Sequence, residues 1–265
     1  MTQFERLIKI MGQLRAPDGC PWDKKQTHET LKPYLIEESY EVLDAIDSGD
    51  DTELTDELGD VLLQVVFHAQ LASETGRFTV DDVARAISDK LERRHPHVFG
   101  DVQADDAATV VKNWEAIKAQ EKENKGSKPS SHLNGVARHL PALLRAEKIQ
   151  KKAARVGFDW DKLEDVTAKA REEVAEFADT LESSETLTRV EEELGDLLFS
   201  LVNVARFVGV CPEEALTKTN QKFISRFEYI EEKLAEQGLT PDEATLEQMD
   251  GFWEEAKGLL SSGDS

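Results

Sequence analysis

The chain has 265 residues, with 54 Asp and Glu against 32 Lys and Arg and a formal net charge of −22. That balance excludes a freestanding basic groove for nucleic acid, because phosphate backbones are bound by neutralising them with Lys and Arg. Hydrophobic residues make up 39%, enough for a core beneath a heavily charged surface, and the length suits one large domain or two small ones.

The first twenty residues scatter Glu5, Arg6, Lys9 and Arg15 among apolar positions. This is the pattern of an amphipathic helix and not of a signal peptide. No stretch approaches the ~18 uninterrupted apolar residues of a spanning helix, so no membrane insertion is expected. Cys20 and Cys211 lie far apart and fit no metal-ligand spacing. Neither a disulfide framework nor a zinc site is indicated, and a reducing cytoplasm is the expected compartment.

Helical periodicity dominates the chain, with almost no β-type alternation, and predicts an all-α fold. After the opening helix come a loop bearing Trp22, a helix carrying Glu37, Glu38 and Glu41, and a helix that opens with Glu57-Leu-Gly-Asp60. A helix with Lys90 and Arg94 follows, then one with Trp114. From 119 to 135 the chain is polar, rich in Lys, Ser and Gly, and interrupted by Pro129, which predicts a linker between domains at 1–118 and 136–265.

The second half repeats the first. Gly157-Phe-Asp-Trp160 answers Gly19-Cys-Pro-Trp22, and Glu172-Glu173-x-x-Glu176 answers Glu37-Glu38-x-x-Glu41. Glu193-Leu-Gly-Asp196 then answers Glu57 to Asp60, Lys222 and Arg226 answer Lys90 and Arg94, and Trp253 answers Trp114. Five matches in one order indicate an internal duplication, and the short loops favour two tandem four-helix-type bundles.

The helices that follow the two ELGD motifs are almost wholly apolar, as buried helices are. At their heads, Glu57 and Asp60, or Glu193 and Asp196, stand three residues apart on one face. Glu173 and Glu176 have the same spacing, and Glu172 joins them one turn before Glu176. Packing these faces together gathers four carboxylates with no basic residue inside either motif. A hard divalent cation is the simplest compensation, and oxygen-only ligands point to Mg²⁺ or Mn²⁺ over zinc. A solitary EExxE is ordinarily a solvated helix face; pairing and recurrence in both halves favour a site.

This EExxE followed by ExxD, separated by 16 residues from Glu41 to Glu57 and by 17 from Glu176 to Glu193, resembles the signature of the MazG family. Members are all-α nucleoside triphosphate pyrophosphohydrolases. The likeness spans nearly the whole chain and extends to GCPWDK, KLERRHPHVFGD and VGFDWD. It implies hydrolysis of a nucleoside triphosphate to the monophosphate and pyrophosphate, with Mg²⁺, in a homodimer. Glu173, Glu176, Glu193 and Asp196 are the expected metal ligands, and Glu38, Glu41, Glu57 and Asp60 a second possible set. Glu172 and Glu192 are candidates for orienting or deprotonating the water, grouped with Glu193 as catalytic.

Lys222 and Arg226, one turn apart, suit the triphosphate oxygens left uncovered by metal and resemble the family's phosphate-binding positions. Lys169 resembles another family contact, and Arg189 is placed with these substrate-binding residues; in the first half Tyr34 stands where Lys169 does. By the same likeness Trp253 stacks on the base, whereas Trp22 and Trp160 read as structural plugs. Catalysis is expected in the second half, with a structural or regulatory first half.

Overall fold

The computed structural model describes residues 1–104, 106–124, 131–183 and 185–260, and divides into two units, Met1–Ser127 and Lys128–Ser265. Among the described residues all regular structure is helical, as the periodicity predicts. Unit 1 contains α1 (Gln3–Leu14), α2 (Pro21–Lys25), α3 (Lys32–Ser48), α4 (Asp51–Glu74), α5 (Val80–Arg94), α6 (Pro96–Phe99) and α7 (Ala107–Asn124). Unit 2 contains α8 (Ala142–Ala154), α9 (Leu163–Glu182), α10 (Leu187–Phe207), α11 (Pro212–Glu236) and α12 (Leu246–Leu260). Among the described residues no single helix is long and apolar enough to cross a membrane.

Three boundaries differ from expectation. The ELGD motifs do not open their helices: Asp50 caps α4 by accepting from the backbone of Thr52 and Glu53, and Thr186 caps α10 by accepting from Arg189. These oxygen caps start each helix earlier, so Glu57 and Glu193 are both the seventh residue of their helices. Trp22 lies on the short α2, where Pro21 presets the first turn, while Trp160 lies in a loop. The polar stretch expected as a linker from 119 begins inside α7, which continues to Asn124; residues 125–130 fall outside the described residues.

In unit 1, α1 and α3 pack on α4. The core consists of Met11, Leu31, Val66, Phe67 and Leu71, with Leu63 beside them. Each such side chain contributes about 1.5–3 kcal/mol on burial. Gly49 ends α3 at φ 72°, a left-handed conformation that glycine adopts without strain, and so turns the chain into α4. Arg15 closes the far end: its guanidinium lies 5.5 Å from the Phe67 ring centre and grips Glu74 through Nε at 2.6 Å and Nη2 at 2.7 Å. Arg94, the counterpart of Arg226, holds α5 to α7 through Glu121 at 2.6 Å. With Arg93, it pulls the Glu121 carboxyl down to about 2.

In unit 2 the α9–α10 pair forms the principal helix contact, and α8 packs on α10. After α10 the chain bends by 104° into α11, which packs against α12 and α8. Arg206 near the end of α10 donates to Asp159 at 3.0 Å, fastening the loop that carries Trp160.

Candidate active site

In unit 2, α9 supplies Lys169, Glu172, Glu173 and Glu176, and α10 supplies Arg189, Glu192, Glu193 and Asp196. The packing of these two helices brings carboxylate oxygens of Glu173, Glu193 and Asp196 within 4.8 Å of one another. Glu173 and Glu193 are buried at 7% and 3% exposure, while Asp196 is open to solvent. Glu176, expected as a fourth ligand, is not part of this cluster. It is exposed and lines a smaller cleft of about 260 Å³ with Arg189 and Glu193, one helical turn beyond Glu173.

Two cations sit on the cluster, each from just before a carboxylate motif, where they were expected as substrate contacts. Lys169 lies 2.8 Å from Glu173 and 2.9 Å from Glu172. Arg189 pairs with Glu193 and reaches Glu192 at 3.3 Å. The pairing holds the Lys169 ammonium well above its ordinary range, chiefly through Glu173 and then Glu172. Arg189 is raised likewise, by Glu192 first and by the charge of Glu193 next. Lys169 and Arg189 thus offset two of the cluster's three carboxylates and leave Asp196 without a described cation.

Unit 1 builds its cluster differently. Glu38, Glu41 and Glu57 converge within 4.8 Å, and here it is Asp60 that stays outside the group. Among the described residues no ion pair joins a lysine or arginine to these carboxylates: Tyr34 stands at the Lys169 position and packs edge-on against Trp22 at 5.9 Å, and Glu53 precedes Glu57 as Arg189 precedes Glu193. Desolvation raises the Glu38 carboxyl, with added repulsion from Asp60 and Glu41, although Gln64 donates to it at 3.3 Å. Glu57 is raised by desolvation and by the charges of Glu41 and Asp60.

Lys222, Arg226 and Trp253 form a separate group on α11 and α12. The Arg226 guanidinium lies 5.4 Å from the Trp253 ring centre, and Phe223 packs on the same ring at 5.1 Å. Buried Arg226 Nε has no hydrogen-bond partner among the described residues, and Lys222 is exposed. No described contact joins this group to the carboxylates.

The sequence reading missed a cleft of about 630 Å³ in unit 2 that runs away from the carboxylates. Lys169, Glu173 and Asp196 line one end, and Phe158, Trp160 and Phe199 line the body. Trp160, expected as a plug, is 45% exposed and forms part of this wall. Its aromatic neighbour Phe158 in the VGFDWD loop was the available signal.

A duplicated all-α protein with an oxygen-only acidic centre between two helices is the class that fold and site define. The MazG nucleotide pyrophosphohydrolase domain matches the chain twice, over residues 26–99 and 162–230. The chain is 51% identical over 255 residues to the nucleoside triphosphate pyrophosphohydrolase/pyrophosphatase MazG of Thermotoga maritima, covering 96% of each chain. It is 49% identical over 259 residues to the nucleoside triphosphate pyrophosphohydrolase of Escherichia coli, covering 97% of this chain and 98% of that one. The nucleoside triphosphate pyrophosphohydrolase of Mycobacterium tuberculosis is 40% identical over 159 residues, 58% of this chain and 46% of that one. The chain belongs to the MazG family.

Proposed function

We propose that unit 2 hydrolyses nucleoside triphosphates between the α and β phosphates, releasing the monophosphate and pyrophosphate in a Mg²⁺-dependent reaction. The observation that carries this reading is the convergence of Glu173, Glu193 and Asp196 within 4.8 Å, flanked by Lys169 and Arg189. The donor set fits the ion: oxygen ligands alone, two of them buried, suit a hard divalent cation, Mg²⁺ before Mn²⁺. Those three residues would hold it, with Glu176 reaching in from the next turn of α9. When bound, the ion screens the triphosphate and lowers the pKa of a water.

The chain's own residues have distinct tasks. Lys169 and Arg189 pair with the carboxylates and are free to exchange them for phosphate oxygens, which they bind by charge-assisted hydrogen bonds. Glu172 and Glu192 are exposed and lie next to the ligands; one of them takes the proton of the attacking water. Lys222 and Arg226 supply further positive charge to the triphosphate, and Trp253 supports Arg226. Unit 1, whose cluster pairs with no cation among the described residues, serves a structural or regulatory role.

The working form is a homodimer in the cytoplasm. Leu194, Leu198 and Leu201 on α10 and Val174 and Leu181 on α9 are each more than 40% exposed, at helical spacings that make one apolar stripe. A second copy of the chain, offering the same stripe, is the occupant that would cover it. Free Cys20 and Cys211 accord with a reducing compartment.

The test is a panel of ribo- and deoxynucleoside triphosphates with Mg²⁺, assayed for monophosphate and pyrophosphate. Release of the two in equal amounts is expected; no release from any member of the panel overturns the reading.

A further inference from the structure

Resting on the nucleotide reading above, we infer that the outer face of α8 is an electrostatic guide that draws nucleoside triphosphates toward the carboxylates of unit 2. A triphosphate is a polyanion, the chain carries −22, and Glu173, Glu193 and Asp196 add negative charge at the destination. Approach is therefore opposed by the molecule as a whole. A surface of the opposite sign beside the entrance raises association rates about 10- to 10³-fold.

Residues 131–155 supply that sign. They hold Arg138, Arg145, Lys148, Lys151, Lys152 and Arg155 against Glu147 alone, so six cations less one carboxylate give +5 and leave −27 for the rest of the chain. At 3.6 residues per turn, Arg145, Lys148, Lys151, Lys152 and Arg155 fall within one arc of about 120° on α8. All but Lys152 are exposed. Glu147 lies outside the arc, is 6% exposed and pairs with Lys151. The helix dipole accounts for Lys151, Lys152 and Arg155 at the C-terminal end. It does not account for mid-helix Lys148, nor for Arg145 in the first turn, where a cation is disfavoured.

The same helix forms a wall of the 630 Å³ cleft that opens onto Lys169, Glu173 and Asp196. Ile149 and Ala153 line that cleft, and Arg145 and Lys152 flank Ile149 one turn before and after. Lys152 also donates to the carbonyl of Asn134, the neighbour of the cleft residue Leu133. A row of cations thus borders the approach to the carboxylates.

Unit 1 has the helix without the charge. Phe67, sealed in the core, stands seven residues after Asp60, as Asn203, which lines the cleft, stands seven after Asp196. α1 packs on α4 as α8 packs on α10, and Arg15 stands four before Gly19 as Ala153 stands four before Gly157. By that register Leu7, Ile10, Gln13, Leu14 and Pro17 take the places of Arg145, Lys148, Lys151, Lys152 and Arg155. The cations go with the unit proposed to turn over nucleotide, which a general solubilising role does not require.

The experiment uses the full chain with Mg²⁺ and follows association and dissociation of a fluorescent α,β-methylene-ATP by stopped flow. Ionic strength runs from about 0.01 M to 1 M, over which the screening length falls from ~30 Å to ~3 Å. The triple variant Arg145→Gln, Lys148→Gln, Arg155→Gln is expected to associate about tenfold more slowly at the low end and at the wild-type rate at the high end, with dissociation unchanged. Arg6→Gln, Lys9→Gln and Arg85→Gln together remove the same charge from exposed positions of unit 1 and should slow association about twofold at most. Should the triple variant fail to fold by circular dichroism, Lys148→Gln alone, slowed about twofold at the low end, decides. Association at the wild-type rate in the α8 variant at low salt overturns the inference, as does an equal loss in the unit 1 variant, a loss that persists at the high end, or faster dissociation. Guided binding without pyrophosphate release from any triphosphate sinks the hydrolytic reading and spares this one; hydrolysis with unguided association does the reverse.

Discussion

The ammonium of Lys169 lies 2.8 Å from a carboxylate oxygen of Glu173, a side chain almost sealed from solvent. A divalent cation and this lysine therefore compete for one carboxylate. Removing the lysine as Lys169→Met leaves Glu173 buried and unpaired. The metal-free variant is expected to melt a few degrees below the wild type by calorimetry. Added Mg²⁺ should recover more of the melting temperature in the variant than in the wild type, because no ion pair has to be broken. Equal gains would show that Lys169 does not guard the site.

Chelation tests the donor set itself. Mg²⁺ at a hundredfold excess over its dissociation constant stabilises a native site by about 2.7 kcal/mol. A thermal transition that rises with Mg²⁺, falls back with EDTA, and loses this response in Asp196→Asn is the expected outcome. A transition that ignores Mg²⁺ at every concentration argues against Glu173, Glu193 and Asp196 as ligands.

The asymmetry between units predicts unequal mutants. Glu193→Gln is expected to lower pyrophosphate release about 10²-fold or more, as the loss of a central electrostatic group does. Glu57→Gln should retain most of it, since among the described residues no cation pairs with its cluster. Equal losses in single-turnover assays would mean that both units work.

The all-α architecture, the duplication and the acidic groups were legible because period and spacing are local properties of a chain. Even the pairs Lys169–Glu173 and Arg189–Glu193 stand four residues apart and were visible as text. They were read as substrate contacts and not as counter-ions, because spacing does not say which of two partners a cation faces. The cleft was illegible for a different reason. Gln150, Ala153 and Asn203 come from two helices about fifty residues apart, and their meaning lies in volume they leave unfilled, which no periodicity records. Helix starts were misplaced because Asp50 and Thr186, as caps, outrank the first apolar run.

Unit 1 carries a pH dependence of its own. Arg77 donates to His28 Nε2 at 2.8 Å, so His28 Nδ1 carries the hydrogen that it shares with His68 Nδ1, also at 2.8 Å. Burial pushes the His68 imidazole below its usual range, and the positive charge of His28, whenever that ring is protonated, adds to the effect. Above the unfolded value of about 6.5 this group has no effect on stability. As pH falls through that value, the unfolded chain gains a proton that the folded one refuses, so stability declines until the folded pKa is passed. His68→Asn should flatten this part of the melting-temperature profile between about pH 7 and 5; an unchanged profile would assign the slope to carboxylates.

The exposed stripe on α9 and α10 makes dimerisation testable. Leu198→Asp puts a charge in the middle of the stripe and is expected to turn the proposed dimer into a monomer in sedimentation equilibrium, with helicity retained. A variant that remains dimeric would place the interface elsewhere.

Asn203 occupies, in an open domain, the place that Phe67 fills in a closed one. A protein that keeps such an opening trades rigidity for access. Random libraries of unit 2 screened for heat resistance should therefore collect large apolar residues around the cleft, and the winners of that screen should be the poorest enzymes.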